Sequence, residues 1–280
     1  MRIFITGHRG QLGRALWDEL GSRHELVGGD LSDWDMTDRA QAAALIVNAR
    51  PDVVIHAAAL TNVEYCAEHP AEAVRANGVG TYNVALACRD ADARLIAIST
   101  NEVFDGQVSQ PYQEYDPRHP INPYGYSKYV AEQVVERYAP HYAIVRTAWL
   151  FAPGGVNFIH KILARARSGQ PLRVVTDEVG SPTYAPDLAA AVGQLAELGT
   201  PGVFHLTNAG ACSRYEFACE IVRQVGLDVP VEPITSDAFQ RASTPPPYAP
   251  LDNVFGAALG VTLRPWQEAL AEYLAGQERA

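Results

Sequence analysis

Arg2-Ile3-Phe4-Ile5-Thr6-Gly7-His8-Arg9-Gly10-Gln11-Leu12-Gly13 stands near the start of the sequence. Ile3 to Thr6 read as a buried strand, and Leu12, Leu16, Trp17 and Leu20 recur at the spacing of an amphipathic helix. Strand, glycine-rich turn and helix, in that order, make a dinucleotide site. Glycines let the backbone approach a pyrophosphate, whose charge rests at the helix N-terminus. The spacing here is Gly-x-x-Gly-x-x-Gly. It predicts an α/β fold of Rossmann type, a doubly wound parallel sheet.

The pattern continues outward from that turn. Glu25–Asp30 is a second strand ending in a carboxylate, and Asp30 lies where an acid can bind the adenosine ribose. A carboxylate there favours NAD, because it repels a 2′-phosphate, and Arg9 in the turn offsets this and admits NADP. A turn cap is the plainer reading of Asp30. Asp35 and Met36 are placed to contact adenine, with Asp38 read alternatively as a helix cap. Arg50-Pro51-Asp52-Val53-Val54-Ile55-His56 is a third strand, apolar throughout as a buried parallel strand should be. Small residues follow it, Ala57-Ala58-Ala59-Leu60-Thr61, against which a flat cofactor can lie. His56 reads as a packed strand-end histidine.

A helix over 71–91 and a strand over 95–98 come next. The strand ends in Ser99-Thr100-Asn101-Glu102, where a hydroxyl faces the helix that follows Asn122-Pro123. Further strands are expected at 142–146, 172–175 and 203–207, and further helices at 158–166, 187–198, 215–225 and 263–274. Six prolines between 228 and 250 make that segment largely loop. The expected division is a dinucleotide-binding domain over 1–150, to which 170–208 returns. A smaller, mixed α/β substrate-binding region is expected over 151–169 and 209–280.

The chain has 280 residues and a net charge of −10, which argues against sequence-independent binding to nucleic acid or an anionic membrane. No apolar run approaches the ~20 residues of a membrane span. Met1 leads straight into the first strand, so a cytoplasmic protein without a signal peptide is expected. Cys66, Cys88, Cys212 and Cys219 show no metal-ligand spacing and read as reduced thiols, with no metal site expected.

Tyr124 and Lys128, in Asn122-Pro123-Tyr124-Gly125-Tyr126-Ser127-Lys128, stand one helical turn apart on one face. A free tyrosine, with a pKa near ~10, is a poor proton donor or acceptor at neutral pH. A neighbouring ammonium favours the phenolate, and moving the pKa by about three units takes about 4 kcal/mol of differential stabilisation. Tyr-x-x-x-Lys alone also describes many surface pairs. Lys128 is one of only two lysines in the sequence, which makes a chance match less frequent.

Together, Thr6-Gly7-x-x-Gly10-x-x-Gly13, Ser99-Thr100 and Tyr124-x-x-x-Lys128 resemble the extended short-chain dehydrogenase/reductase superfamily. Within it the sequence is most similar to the dTDP-4-dehydrorhamnose reductases. The likeness runs nearly end to end, through Ala57-Ala58-Ala59, Val103-Phe104-Asp105-Gly106, Arg146-Thr147-Ala148-Trp149, Gly180-Ser181-Pro182-Thr183 and Trp266. It implies NADH- or NADPH-dependent reduction of the 4-keto group of a nucleotide-activated deoxysugar, dTDP-4-dehydro-L-rhamnose first among them. By the same resemblance Tyr124 protonates the developing alkoxide. Lys128 lowers the tyrosine pKa and binds the nicotinamide ribose, and Thr100 holds the keto oxygen. Trp149 lines the sugar pocket, unless it is simply packed in the core. Gly10, Gln11, Leu12, Asp30, Asp35, Met36, Ala59, Leu60 and Thr61 fall where the family holds its dinucleotide. Homodimers are common among such enzymes.

Two departures bear on the sugar. The family usually reads Ser-Thr-Asp-Tyr where this sequence has Ser99-Thr100-Asn101-Glu102, which puts Asn101 in the place of a substrate-side carboxylate. It usually carries arginines near the C-terminal end where this sequence has Ser243-Thr244-Pro245-Pro246-Pro247. Three other readings of the fold remain open. One is a nucleotide-sugar 4,6-dehydratase with Glu102 as base, although Asn101 cannot donate a proton as a carboxylic acid does. A 4-epimerase is another. The third is a non-catalytic nucleotide-binding subunit, similar to the regulatory β subunit of methionine adenosyltransferase.

Overall fold

A computed structural model describes residues 1–154, 157–238 and 241–277. Five strands carry the dinucleotide half: β1 (Arg2–Thr6), β2 (Glu25–Gly29), β3 (Val53–His56), β4 (Arg94–Thr100) and β5 (Tyr142–Thr147). With Gly202–His205 they form a six-stranded sheet in the order Gly202–His205, β5, β4, β3, β1, β2, every neighbouring pair parallel. The chain turns one way from β1 to β2 and the other way to β3. That reversal opens a crevice above the carboxyl ends of β1 and β3, where open α/β sheets bind ligands.

Both faces of the sheet are covered. Leu12, Leu16 and Leu20 of helix α1 (Gln11–Leu20) pack with Leu188, Val192 and Leu195 of helix Ala185–Leu198 on one side. Ala42, Ile46, Val84, Cys88 and Val135 cover the other. Val53, Val54 and Ile55 have no exposed surface, each burial being worth about 1.5–3 kcal/mol. Among the described residues no helix is long and apolar enough to cross a membrane.

A second core, built on Phe151, Ile159, Phe217, Ile221, Trp266 and Tyr273, holds the smaller region. Its strands pair apart from the main sheet. Leu172–Val175 does not return to the main sheet but pairs in parallel with Val231–Ile234, inside the stretch that the prolines marked as loop. Among the described residues Val231–Ile234 has no second neighbour, so Pro233 removes no ladder hydrogen bond that the strand needs. Helix Ala185–Leu198 and strand Gly202–His205 make the return. We therefore propose that the segment rejoining the dinucleotide domain begins near residue 183.

The helix expected over 71–91 is also broken. Pro70–Ala73 and Gly80–Asp90 flank a wider π turn at Val74–Val79. Asn77, inside that turn, accepts from the Leu60 amide at 2.7 Å and donates to the Leu60 carbonyl at 3.0 Å and Ser127 Oγ at 2.8 Å. Such turns recur where a helix must present a side chain off its regular spacing. In this case the side chain ties the loop after β3 to helix Pro123–Tyr138.

Candidate active site

The glycine turn is built for close approach. Gly7 has φ of 68°, and a Cβ there would lie 2.9 Å from Ala58 Cα. At Gly13 a Cβ would lie 2.1 Å from the Gly7 carbonyl oxygen. Only glycine allows this crossing of β1, α1 and the loop after β3. The crevice above it has two joined lobes. The first, about 280 Å³, is bounded by Gly7, Gly10, Asp30, Trp34, Met36 and Ala57–Leu60. The second, about 410 Å³, runs from Gly7, Gly10, Gln11, Leu12, Gly13, Ala59 and Thr61 to Thr100, Asn101, Glu102, Tyr124, Lys128, Trp149 and Arg214. Most residues singled out in the sequence thus line one crevice.

Asp35 is the exception. It is exposed, and its carboxylate accepts from the Thr37 amide at 2.8 Å in a tight turn. The aromatic wall of the first lobe is Trp34, which the sequence reading passed over. Asp38 caps the helix Arg39–Ala49 through the Ala40 and Gln41 amides. Asp30 lies at the end of β2, and its carboxylate accepts from the backbone of Arg9 at 3.0 Å and Leu31 at 2.8 Å. The Arg9 guanidinium reaches over to Ser32 Oγ and, at 3.4 Å, to Asp33. The Asp30 carboxylate and the Arg9 guanidinium therefore sit side by side.

At the far end, Tyr124 and Lys128 project from helix Pro123–Tyr138, which opens on an Asn122 cap bonded to the Gly125 amide at 2.8 Å. The Ser127 hydroxyl donates to the Tyr124 carbonyl, which steadies the first turn. Gly125 lets this helix touch the Thr100 loop, for a Cβ there would lie 2.0 Å from the Glu102 carbonyl oxygen. Thr100 Oγ1 accepts from the Glu102 amide at 3.2 Å.

Burial sets the electrostatics of this corner. It raises the Tyr124 phenol well above its ordinary value, the nearby Glu102 carboxylate adds to the rise, and the Thr100 hydroxyl pulls the other way. Lys128 itself is pushed down to about 8 by burial, against the Glu132 carboxylate, which favours its charge. Glu132 stays ionised despite its own burial, because Arg146, Ser99 and Arg118 all bond to it, at 2.8, 2.5 and 2.9 Å. His56 is neutral, its pKa lowered to about 3 by burial and by Lys128. It bridges Thr6 Oγ1 at 2.7 Å and Thr81 Oγ1 at 3.0 Å. The packed-histidine reading holds.

The Asn101 end of the crevice draws on long-range contacts. Asn101 Nδ2 donates to the Ala249 carbonyl at 3.1 Å, so it anchors the C-terminal segment while lining the crevice. Glu102 is half-buried in the crevice wall, desolvation raises its pKa, and it accepts from Asn122 Nδ2 at 2.7 Å. Arg214 and Arg241 both pair with Glu178. Neither was singled out from sequence, although Ser213-x-x-Glu216 signals the helix start that aims Arg214 inward. Among the described residues no three His, Cys, Asp or Glu side chains converge as a metal site requires.

The chain matches the sequence model of the RmlD substrate binding domain over residues 1–278. It is 39% identical to the dTDP-4-dehydrorhamnose reductase of Mycolicibacterium smegmatis, over 98% of this chain and 85% of that one. It is 36% identical to the spore coat polysaccharide biosynthesis protein SpsK of Bacillus subtilis, over 100% of this chain and 98% of that one. Among solved structures, the dTDP-4-dehydrorhamnose reductase of Bacillus anthracis in complex with NADP superposes with a TM-score of 0.95 at 34% identity, covering 98% of this chain and 99% of that one.

Proposed function

The chain belongs to the RmlD substrate binding domain family, and from that membership we propose that it reduces the 4-keto group of a nucleotide-activated deoxysugar, dTDP-4-dehydro-L-rhamnose, with NADH or NADPH. The observation that carries this reading is the single crevice lined by the glycine turn at one end and by Thr100, Tyr124 and Lys128 at the other. The cradle fits a dinucleotide, since the absence of side chains at Gly7 and Gly13 leaves backbone where a pyrophosphate would rest. The reduced nicotinamide supplies the hydride.

The residues then divide the remaining work. Thr100 orients the keto oxygen through its hydroxyl. Tyr124 donates its phenolic proton to that oxygen as negative charge develops on it. A buried phenol with a raised pKa is protonated at every working pH, and an alkoxide is a far stronger base than a phenolate, so the transfer still runs downhill. This polarity suits reduction. Lys128 places an ammonium beside the phenolate left behind and holds the ribose hydroxyls. Trp149 and Asn101 face the sugar.

Near-ultraviolet absorbance tests the assignment directly. NADH or NADPH should be oxidised stoichiometrically when enzymatically prepared dTDP-4-dehydro-L-rhamnose is added. Cofactor binding without oxidation would overturn it.

Cofactor choice gives a second expectation. Asp30→Ala removes a carboxylate beside the Arg9 guanidinium and should raise the NADPH-to-NADH ratio of kcat/KM about tenfold, a change of about 1.4 kcal/mol. An unchanged ratio would make Asp30 a turn residue only, in keeping with its two backbone partners. A third concerns pH. Lys128 has an ordinary lysine pKa when unfolded but titrates at about 8 in the folded chain, so its ammonium is present below that pH and lost above it. The dissociation constant of NADPH should therefore rise between pH 7 and 9, by about tenfold, and Lys128→Met should flatten that rise. Titration by fluorescence enhancement of the bound nicotinamide reads both.

A further inference from the structure

Gly180, Trp149 and Arg214 pack together at the sugar end of the crevice. Trp149 has φ of 44°, in the left-handed region. A bulky side chain adopts that backbone only where its surroundings enforce it, and such positions cluster at functional sites. The indole packs against Gly180, where a Cβ would come within 2.5 Å of Trp149 Cε2 and 2.7 Å of Cζ2. The Arg214 guanidinium stands over the ring, its Cζ 3.6 Å from a ring centroid. The Phe158 ring centroid lies 5.1 Å from the same carbon.

One ladder delivers both neighbours of the indole. Cys212–Ser213 pairs antiparallel with Val179–Gly180, which puts Gly180 against the ring. The Arg214 amide donates to the Glu178 carbonyl at 3.0 Å, and the reciprocal Ser213–Glu216 capping box fixes the helix that Arg214 begins. Burial lowers the guanidinium to about 10, so it stays cationic at neutral pH, with about a quarter of the side chain (24%) exposed.

We propose that Arg214 is a positioning residue for the sugar platform: stacked on Trp149, it holds the indole against Gly180 in its left-handed conformation and presents the ring to the nucleotide sugar. The proposal rests on the reductase reading of this crevice. What matters is the planar face of the guanidinium, because a lysine ammonium carries the same charge without it. A role in charge alone, toward Glu102, Glu178 or a diphosphate, would survive that exchange.

The test compares wild type, Arg214→Lys and Gly180→Ala by steady-state kinetics with NADPH and dTDP-4-dehydro-L-rhamnose, and by near-ultraviolet circular dichroism of the ligand-free chain. Trp149→Phe identifies the dichroic band of this indole. Arg214→Lys, which loosens the stack, and Gly180→Ala, which intrudes on the indole, should each raise KM for the sugar nucleotide about tenfold or more. KM for NADPH should stay within about twofold, and the Trp149 band should weaken in both variants. A wild-type KM and an unchanged band in Arg214→Lys would overturn the proposal. Failure of the wild-type enzyme to oxidise NADPH would instead sink the substrate assignment, and the dichroic comparison would still decide the stack.

Discussion

Tyr124→Phe is expected to lower kcat by at least about a hundredfold, the scale of a lost general acid, while NADPH affinity stays near that of wild type. The phenol stands beside the Thr100 hydroxyl in the crevice, and the substitution removes one oxygen from a ring that otherwise keeps its packing. A hundredfold is about 2.7 kcal/mol of transition-state stabilisation, more than the phenyl ring would return by packing. The raised pKa of Tyr124 adds a second signature. Phenol ionisation should give the wild-type rate no limb below pH ~10, so a fall above neutrality would report Lys128. Single-turnover kinetics separate the chemical step from release. Unchanged kcat in the variant would move proton donation elsewhere and leave Tyr124 as a lining residue.

The dinucleotide half could be read from sequence because each of its signals is local. A parallel strand buried on both faces is apolar throughout, as Val53–Ile55 are, and a glycine turn announces its spacing in seven residues. The Tyr124–Lys128 pair is one helical turn and needs no tertiary information to share a face. What escaped notice is set by distant contacts. Asp35 carries the charge that drew attention in its turn, yet the fold exposes it and buries Trp34 against the crevice instead. The π turn at Val74–Val79 exists because Asn77 bonds to Leu60 and Ser127, and nothing within residues 71–91 announces those partners. Arg214 reaches the sugar end through a ladder between segments more than thirty residues apart. The phenol pKa belongs to the same class. The Lys128 ammonium is visible one turn away, but the burial that raises the phenol comes from the whole crevice.

Gly125→Ala should cost nearly as much activity as Tyr124→Phe, by a different route. The added Cβ would sit 2.0 Å from the Glu102 carbonyl oxygen and 2.9 Å from its carbon, backbone atoms that cannot swing aside. Contacts under 3.0 Å are essentially never found for a Cβ, so the helix start and the Thr100–Glu102 turn must part by about 1 Å. A displacement of that size between a proton donor and the group that holds the carbonyl can cost about a hundredfold in rate. Stability should fall less than the clash suggests. Overpacking costs about 1–3 kcal/mol, and the gain of alanine over glycine in a helix returns up to about 1 kcal/mol. The variant should therefore fold, bind NADPH, melt a few degrees lower and turn over slowly. Gly276→Ala, whose Cβ would meet nothing within 4 Å, serves as the control for a helical glycine replaced without contact. Wild-type kcat/KM in Gly125→Ala, with the melting temperature lowered as expected, would mean that Tyr124 and Thr100 shift together and that their spacing does not limit the rate. A hundredfold loss with NADPH binding intact would place the rate-determining geometry at the seam between helix Pro123–Tyr138 and the end of β4. Only a residue without a side chain lets the two meet there.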